Sequence, residues 1–290
     1  MQRTSLKFLC LYFWLVGLAV AQAPFLMKPG GDASSPSMSS LGVPLSDIPP
    51  AAISSGEHVA VPLAEPAVRP RMAPELALQV YRGRSVIQAQ QLASYSATSL
   101  IRARLLDTSQ SGEYEVQQHY SAPRTLAFKA VRFTGDAFVK TNVITRLLQS
   151  EVNHVQKDNP ALNAISPANY KLSYKGTNEL QGRTVHVYQL KPRQKRAGLF
   201  KGRIYVDAYT GSLVRAEGRP VKSPSMFVKK IEFVQDYQDI GPFTLPVHMH
   251  SEATARIVGR AVVDVYQRDY QPIANAVANT AGTAERVPAL

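Results

Sequence analysis

Between Tyr95 and Tyr270 the chain alternates apolar and polar residues in long runs separated by tight-turn residues, and this pattern narrows the possible folds more than any other feature. In 245–257, Leu245, Val247, Met249, Ala253, Ala255 and Ile257 fall on one face, while Pro246, His248, His250, Glu252, Thr254 and Arg256 fall on the other. In 230–237, Ile231, Phe233 and Tyr237 oppose Lys230, Glu232 and Asp236. A strand places successive side chains on opposite sides, so such runs give one dry and one wet face, as in an antiparallel sheet covered on one side. The same reading predicts strands at 95–106, 113–122, 124–133, 168–177, 183–191, 201–208, 211–218, 226–238, 243–256 and 258–270. Their turns are marked by Ser111-Gly112, Gly135-Asp136, Gly182, Thr210-Gly211, Gly241-Pro242 and Gly259. Two helical stretches interrupt the pattern. One opens at Pro74, with Leu76, Val80, Ile87 and Leu92 on one side and Gly83 in its middle, as one helix or two short ones. The other spans 142–157, where Val143, Leu147, Val152 and Val155 recur at helical spacing with Leu148 beside them, before Asn159-Pro160 ends it. The fold class expected is β-rich α+β: a strongly curved antiparallel meander, a few covering helices and a sheltered interior.

The ends of the chain are different in kind. Arg3 and Lys7 precede an apolar run from Phe8 to Val20, and Ala19-Val20-Ala21 places small residues where a signal peptidase cuts, so residues 1–21 are expected to be a cleaved signal peptide. The run is shorter than the ~20 residues that span a bilayer. The expectation is a soluble, exported protein, most simply periplasmic. Cys10, the only cysteine, lies inside that run, which leaves the expected mature chain without disulfides, thiolate ligands or a cysteine nucleophile. Residues 22–73 are rich in proline and serine and read as a disordered leader, residues 74–271 as the folded domain, and residues 272–290 as a disordered tail.

The charge is concentrated. The whole chain carries +12, of which the signal peptide accounts for +2 and the leader for −1, so the folded part carries about +11. A basic domain outside the cytoplasm meets anionic head groups or acidic partner surfaces, and neither the compartment nor any motif points to nucleic acid.

No phosphate loop, nucleophile elbow, zinc-protease motif or calcium loop is present, and neither catalytic residues nor a cofactor is expected. His248-x-His250, with Glu252 two further on, would project from one face of a strand and is weighed between a metal site and a solvated face, with the solvated face preferred. Lys191, Arg193, Lys195, Arg196 and Lys201 bracket a turn in which Leu199 and Phe200 are expected to be exposed. Apolar residues among cations suit a membrane or partner surface, and a plain solvated hairpin is the alternative. Leu245, Val247, Met249, Ile231 and Phe233 are the candidate ligand-cavity wall, with a filled core as the alternative.

The signal sequence, the initial helix leading into Ser94-Tyr95-Ser96, the meander of strands with helical insertions, and the strand–turn–strand segment from Gly198 through Lys201-Gly202-Arg203 and Thr210-Gly211 to Arg215 together resemble the periplasmic lipoprotein-carrier superfamily, which holds the outer-membrane lipoprotein-sorting chaperone and its sigma-factor-regulating relatives. The resemblance covers about 75–271 and is architectural, so no functional residue is carried across. It implies a half-open β-barrel lidded by helices that shelters acyl chains. The expected role is therefore non-catalytic binding of a lipid, lipoprotein or other acylated ligand in the cell envelope. The other readings are a structural or regulatory module that contacts another envelope protein, and a secreted hydrolase with dispersed acids.

Overall fold

The computed structural model describes residues 70–157, 159–222, 228–256 and 259–275. The expected signal peptide, the leader as far as residue 69, Ile257 and the tail beyond 275 lie outside the described residues.

The described chain begins with α1 (Pro74–Gln91), followed by β1 (Leu92–Leu105), β2 (Ser111–Ser121) and β3 (Thr125–Gly135). A helical insertion follows: α2 (Ala137–Val139), a π-helical segment (Lys140–Ile144), α3 (Thr145–Lys157) and α4 (Pro160–Asn163). The rest is strand: β4 (Tyr170–Leu180), β5 (Arg183–Pro192), β6 (Phe200–Asp207), β7 (Leu213–Pro220), β8 (Val228–Ile240), β9 (Phe243–Ala255) and β10 (Gly259–Ala274). Each strand expected from the alternation has its counterpart, displaced by a few residues at its ends.

All ten strands join one antiparallel sheet in the order β3-β2-β1-β10-β9-β8-β7-β6-β5-β4. Because β10 returns to pair with β1, the first and last strands lie in the middle, and β3 and β4 are the two edges. The edges are not bonded to each other, and the insertion between them covers the inner face, which makes a β-rich α+β half-open barrel. Both edges carry a bulge. Val131 is skipped between Arg132↔Glu115 and Ala130↔Val116, and Lys175 between Tyr174↔Tyr188 and Gly176↔Val187. A bulge twists the edge and interrupts its row of free donors and acceptors, which discourages pairing with another chain.

The inner face follows the odd residues of β1, β8 and β10 and the even residues of β6 and β7: Ile101, Ala103, Phe233, Val263, Val265, Ile204 and Ala216 are all buried in one cluster. Small residues recur across it, with Gly202 paired to Gly218 and Gly218 to Phe233. A Cβ on Gly202 would fall 1.8 Å from the Glu217 carbonyl oxygen. The strands therefore approach each other here more closely than side chains permit, and the sheet can bend at this point.

Helix α1 is a single helix. A Cβ on Gly83 would meet nothing within 4 Å, so this glycine faces open space and costs only about 1 kcal/mol of helix propensity. The side expected to be buried packs only in part: Leu92 is buried and Val80 lies against Gly211, but Leu76 and Ile87 are exposed, and Ala77 and Tyr81, one turn apart, enter the core. Contacts before and inside the helix set this rotation. The Met72 amide donates to the Ala208 carbonyl at 2.8 Å, the Tyr188 hydroxyl donates to the Pro74 carbonyl, and His186 Nε2 donates to the Met72 carbonyl at 2.9 Å. Farther along, Arg84 reaches Asp239 at 3.0 Å and Gln88 exchanges two hydrogen bonds with the Thr244 backbone. The helix thus runs past the β6–β7 and β8–β9 turns before entering β1.

Candidate functional site

The inner face and the helices over it form the candidate site. Val139, Val143, Ile144 and Leu147 of the insertion pack into the main apolar cluster, and Val152 and Val155 pack onto a second one made by Leu92, Tyr95, Ala97, Tyr120, Leu126, Phe243 and Leu245. The insertion starts at Ala137 rather than near 142 and passes through a π-helical turn before α3. Such a turn holds an extra residue and is a common point of adjustment within a helix.

Of the expected cavity residues, Ile231, Phe233 and Met249 share the main cluster, while Leu245 belongs to the second. Val247 departs from the pattern. Tyr237 pairs with Pro246 and Asp236 with His248, so Val247 is an extra residue in a bulge and is only half-buried. The alternation read through 245–257 changes phase there, because a bulge inserts one residue into a period of two.

The second cluster also holds polar side chains that the sequence reading did not single out. The Ser99 hydroxyl donates to Gln118 Oε1 at 2.9 Å, Gln267 Nε2 donates to the same oxygen at 3.0 Å, and Gln118 Nε2 donates to the Tyr95 hydroxyl oxygen at 2.8 Å. The Tyr95 ring lies 5.3 Å from that of Tyr120 and 5.4 Å from that of Tyr270. Glu151 of α3 is buried and close enough to Tyr95 to raise its hydroxyl pKa, although burial is the larger cause. One signal for this cluster stood in the sequence: Ser99, Gln118 and Gln267 occupy the apolar phase of their strands.

The basic loop between β5 and β6 does not expose its apolar residues. Leu199 and Phe200 are fully buried, the Phe200 ring lying 5.2 Å from Phe233 and 5.9 Å from Tyr170. Its arginines tie the loop to neighbouring segments: Arg193 Nε donates to the Pro167 carbonyl at 2.7 Å, and Arg196 donates to the Leu162 carbonyl and to Asn169 Oδ1 at 3.2 Å. Lys191 and Lys195 are exposed, and Lys191 sits across from Lys171 of β4.

Lys201 lies apart from them, on the outer face. With Arg203, Arg219, Glu217, Glu232, Glu252, His250 and Gln189 it lines a cleft of about 530 Å³ over β5 to β9. Two charged rows cross this face. Arg203 bonds Glu217 at 2.7 Å, and Arg215 grips Asp236 through Nε at 2.6 Å and Nη2 at 3.1 Å. His248 stacks on Tyr266 at 4.6 Å, and His250 Nδ1 lies 2.8 Å from Asp264 Oδ1. Among the described residues, no group of three or more His, Cys, Asp or Glu is arranged to hold a metal ion. His186, inside β5, is fully buried between the Met72 carbonyl and the Thr177 hydroxyl.

No protein-family model matches the sequence, and comparison with curated proteins finds no match. In structure the chain is similar to a LolA superfamily protein from Nitrosomonas europaea, at 10% identity and a TM-score of 0.38 over 69% of this chain and 93% of that one. It is similar to an outer-membrane lipoprotein-sorting protein domain from Vibrio parahaemolyticus at 11% identity and a TM-score of 0.38, over 69% and 93%. A third likeness, to the lipoprotein LppX of Mycobacterium tuberculosis, has 9% identity and a TM-score of 0.23 over 68% and 96%.

Proposed function

We propose that the chain is a non-catalytic binding protein of the cell envelope, working outside the cytoplasm, that takes up a lipid, a lipoprotein or another acylated ligand. The observation that carries this reading is how the apolar inner face is closed. The edges β3 and β4 do not pair, and helical segments supply the cover. Displacing Val139, Val143, Ile144 and Leu147 would uncover the β1 and β2 part of the same apolar cluster, where Ile101, Ala103 and Val116 lie, without breaking a strand–strand hydrogen bond. An acyl chain can then replace the helix side chains on that face, exchanging one apolar contact for another. The π-helical turn at Lys140–Ile144 gives the insertion a place to bend.

The experiment is extraction of the protein purified from the periplasm of an expressing bacterium, followed by mass spectrometry of the organic phase. Acyl species enriched above a control periplasmic protein are expected. Their absence, together with failure of a pyrene-labelled acyl probe to bind the purified protein, would overturn the reading.

A further inference from the structure

The inner face holds a buried polar site in which two phenol hydroxyls still have a hydrogen to give. Tyr95, Ser99, Gln118, Tyr120 and Gln267 come from the adjacent strands β1, β2 and β10 and are all buried, with Tyr120 and Gln118 each 1% exposed. Gln118 Oε1 already accepts two hydrogen bonds, from Ser99 and Gln267. The Tyr95 oxygen accepts from Gln118 Nε2, which leaves its own hydrogen to give. The Tyr120 hydroxyl is enclosed and has no hydrogen-bond partner. Burial pushes the Tyr95 hydroxyl far above its ordinary range and that of Tyr120 up to about 12, so at neutral pH both carry their protons and act as donors. Two stacked phenols thus present hydrogens under α3, whose Val152 and Val155 rest on the same cluster.

Leaving a buried donor unmet is costly, and apolar pockets use a few such groups to fix a ligand's orientation. The matching ligand group is an acceptor. None of the five residues is cationic, so an anionic head group would enter with no counter-charge among them, and the carboxyl-bearing Glu151 lies close to Tyr95.

We infer that Tyr95 and Tyr120, with Tyr95 held by Gln118, form the polar subsite that donates hydrogen bonds to the carbonyl oxygen of an uncharged acyl ester or amide. The inference rests on the acyl-binding reading above and adds the chemistry of the group recognised. The acyl chain lies along the main apolar cluster, and its carbonyl marks the end that stops beneath α3.

The test compares three probes of equal chain length, a pyrene-labelled methyl ester, the free acid and the hydrocarbon, on the purified protein. The ester is expected to bind most tightly. Y120F and Y95F each lower ester affinity about tenfold, the loss of one hydrogen bond, and leave hydrocarbon affinity unchanged. Infrared spectra of the ester on the unsubstituted protein provide a reading that does not depend on how the variants fold: the bound carbonyl band moves below its frequency in alkane solvent. A band at the alkane frequency, an unchanged ester-to-hydrocarbon ratio in folded variants, or preference for the free acid would each overturn the subsite, while hydrocarbon binding would still uphold the acyl-binding reading. If no probe binds, that reading fails and the subsite fails with it.

Discussion

Gly202 and Gly218 face each other across β6 and β7, so close that a Cβ on Gly218 would lie 2.4 Å from the Lys201 carbonyl oxygen and one on Gly202 1.8 Å from that of Glu217. Phe233 pairs with Gly218 on the next strand and closes the space the glycines leave. This contact lets the sheet curl around its inner face, and the helices need cover only the remaining opening.

Substitution there tests the curvature. G202A forces backbone apart and is expected to cost about 3 kcal/mol, at the upper end for overpacking a well-filled site. G218A adds the strain of a side chain at φ +154° to the same clash. Urea unfolding of both variants, with the acyl probe present and absent, checks this, and a midpoint within error of the parent would contradict it.

The basic loop separates into two roles. Lys191 and Lys195 reach solvent freely, whereas Arg193 and Arg196 bind carbonyls of α4 and of the segment that follows it. K191E/K195E is expected to weaken binding to vesicles containing anionic lipid while leaving the melting temperature within about 1 °C, since exposed charges contribute little to stability. R196A is expected to lower stability by about 1–3 kcal/mol, because it releases hydrogen bonds to a charged group. Vesicle co-sedimentation beside thermal melts reads both. Undiminished sedimentation of the double lysine variant would return the loop to a plain solvated hairpin.

On the outer face, Arg215 and Asp236 form a two-pronged pair, with the Asp236 side chain only 10% exposed. The contact raises the Arg215 pKa, chiefly through its hydrogen bond to Asp236. R215M leaves a buried carboxylate short of its main partner and is expected to cost about 3 kcal/mol. The double variant R215M/D236L should recover much of that loss. Chemical denaturation of the two single variants and the double one gives the coupling, and simple additivity would show that the pair contributes nothing.

Buried phenols make the fold sensitive to alkali. Tyr81 and Tyr120 are pushed up to about 12, and Tyr95, Tyr170, Tyr188, Tyr237 and Tyr270 are also raised, with burial the largest cause in each. Below pH 10 these groups are protonated in both states and stability is unaffected. Above it the unfolded chain loses the protons first, so stability falls by about 1.4 kcal/mol per pH unit for each such tyrosine. For Tyr81 the loss runs between pH 10 and about 12. Denaturation midpoints at pH 8, 10 and 11, followed with phenolate absorbance, should show a level region and then a steep decline. A decline beginning well below pH 10 would assign the effect to other groups.

The alternation and the turn residues determined the ten strands, their antiparallel meander and which side chains of β8 and of β9 beyond its bulge face inward, since each of these follows from a period of two and from glycine or proline at the turns. Ile231, Phe233 and Met249 could be read as interior for that reason. Tertiary structure decided the rest. The face α1 buries was set by hydrogen bonds that tie the Met72 and Pro74 carbonyls and the Arg84 guanidinium to strands more than a hundred residues away, and no local pattern encodes those. Val247 left the phase because its strand bulges against β8. Leu199 and Phe200, surrounded by charges in sequence, turned inward because β6 begins there and Phe233 and Tyr170 were waiting. The polar subsite is complete only because β10, distant in the chain, lies beside the β1–β2 hairpin, which turns three isolated polar residues in apolar phases into one hydrogen-bonded cluster.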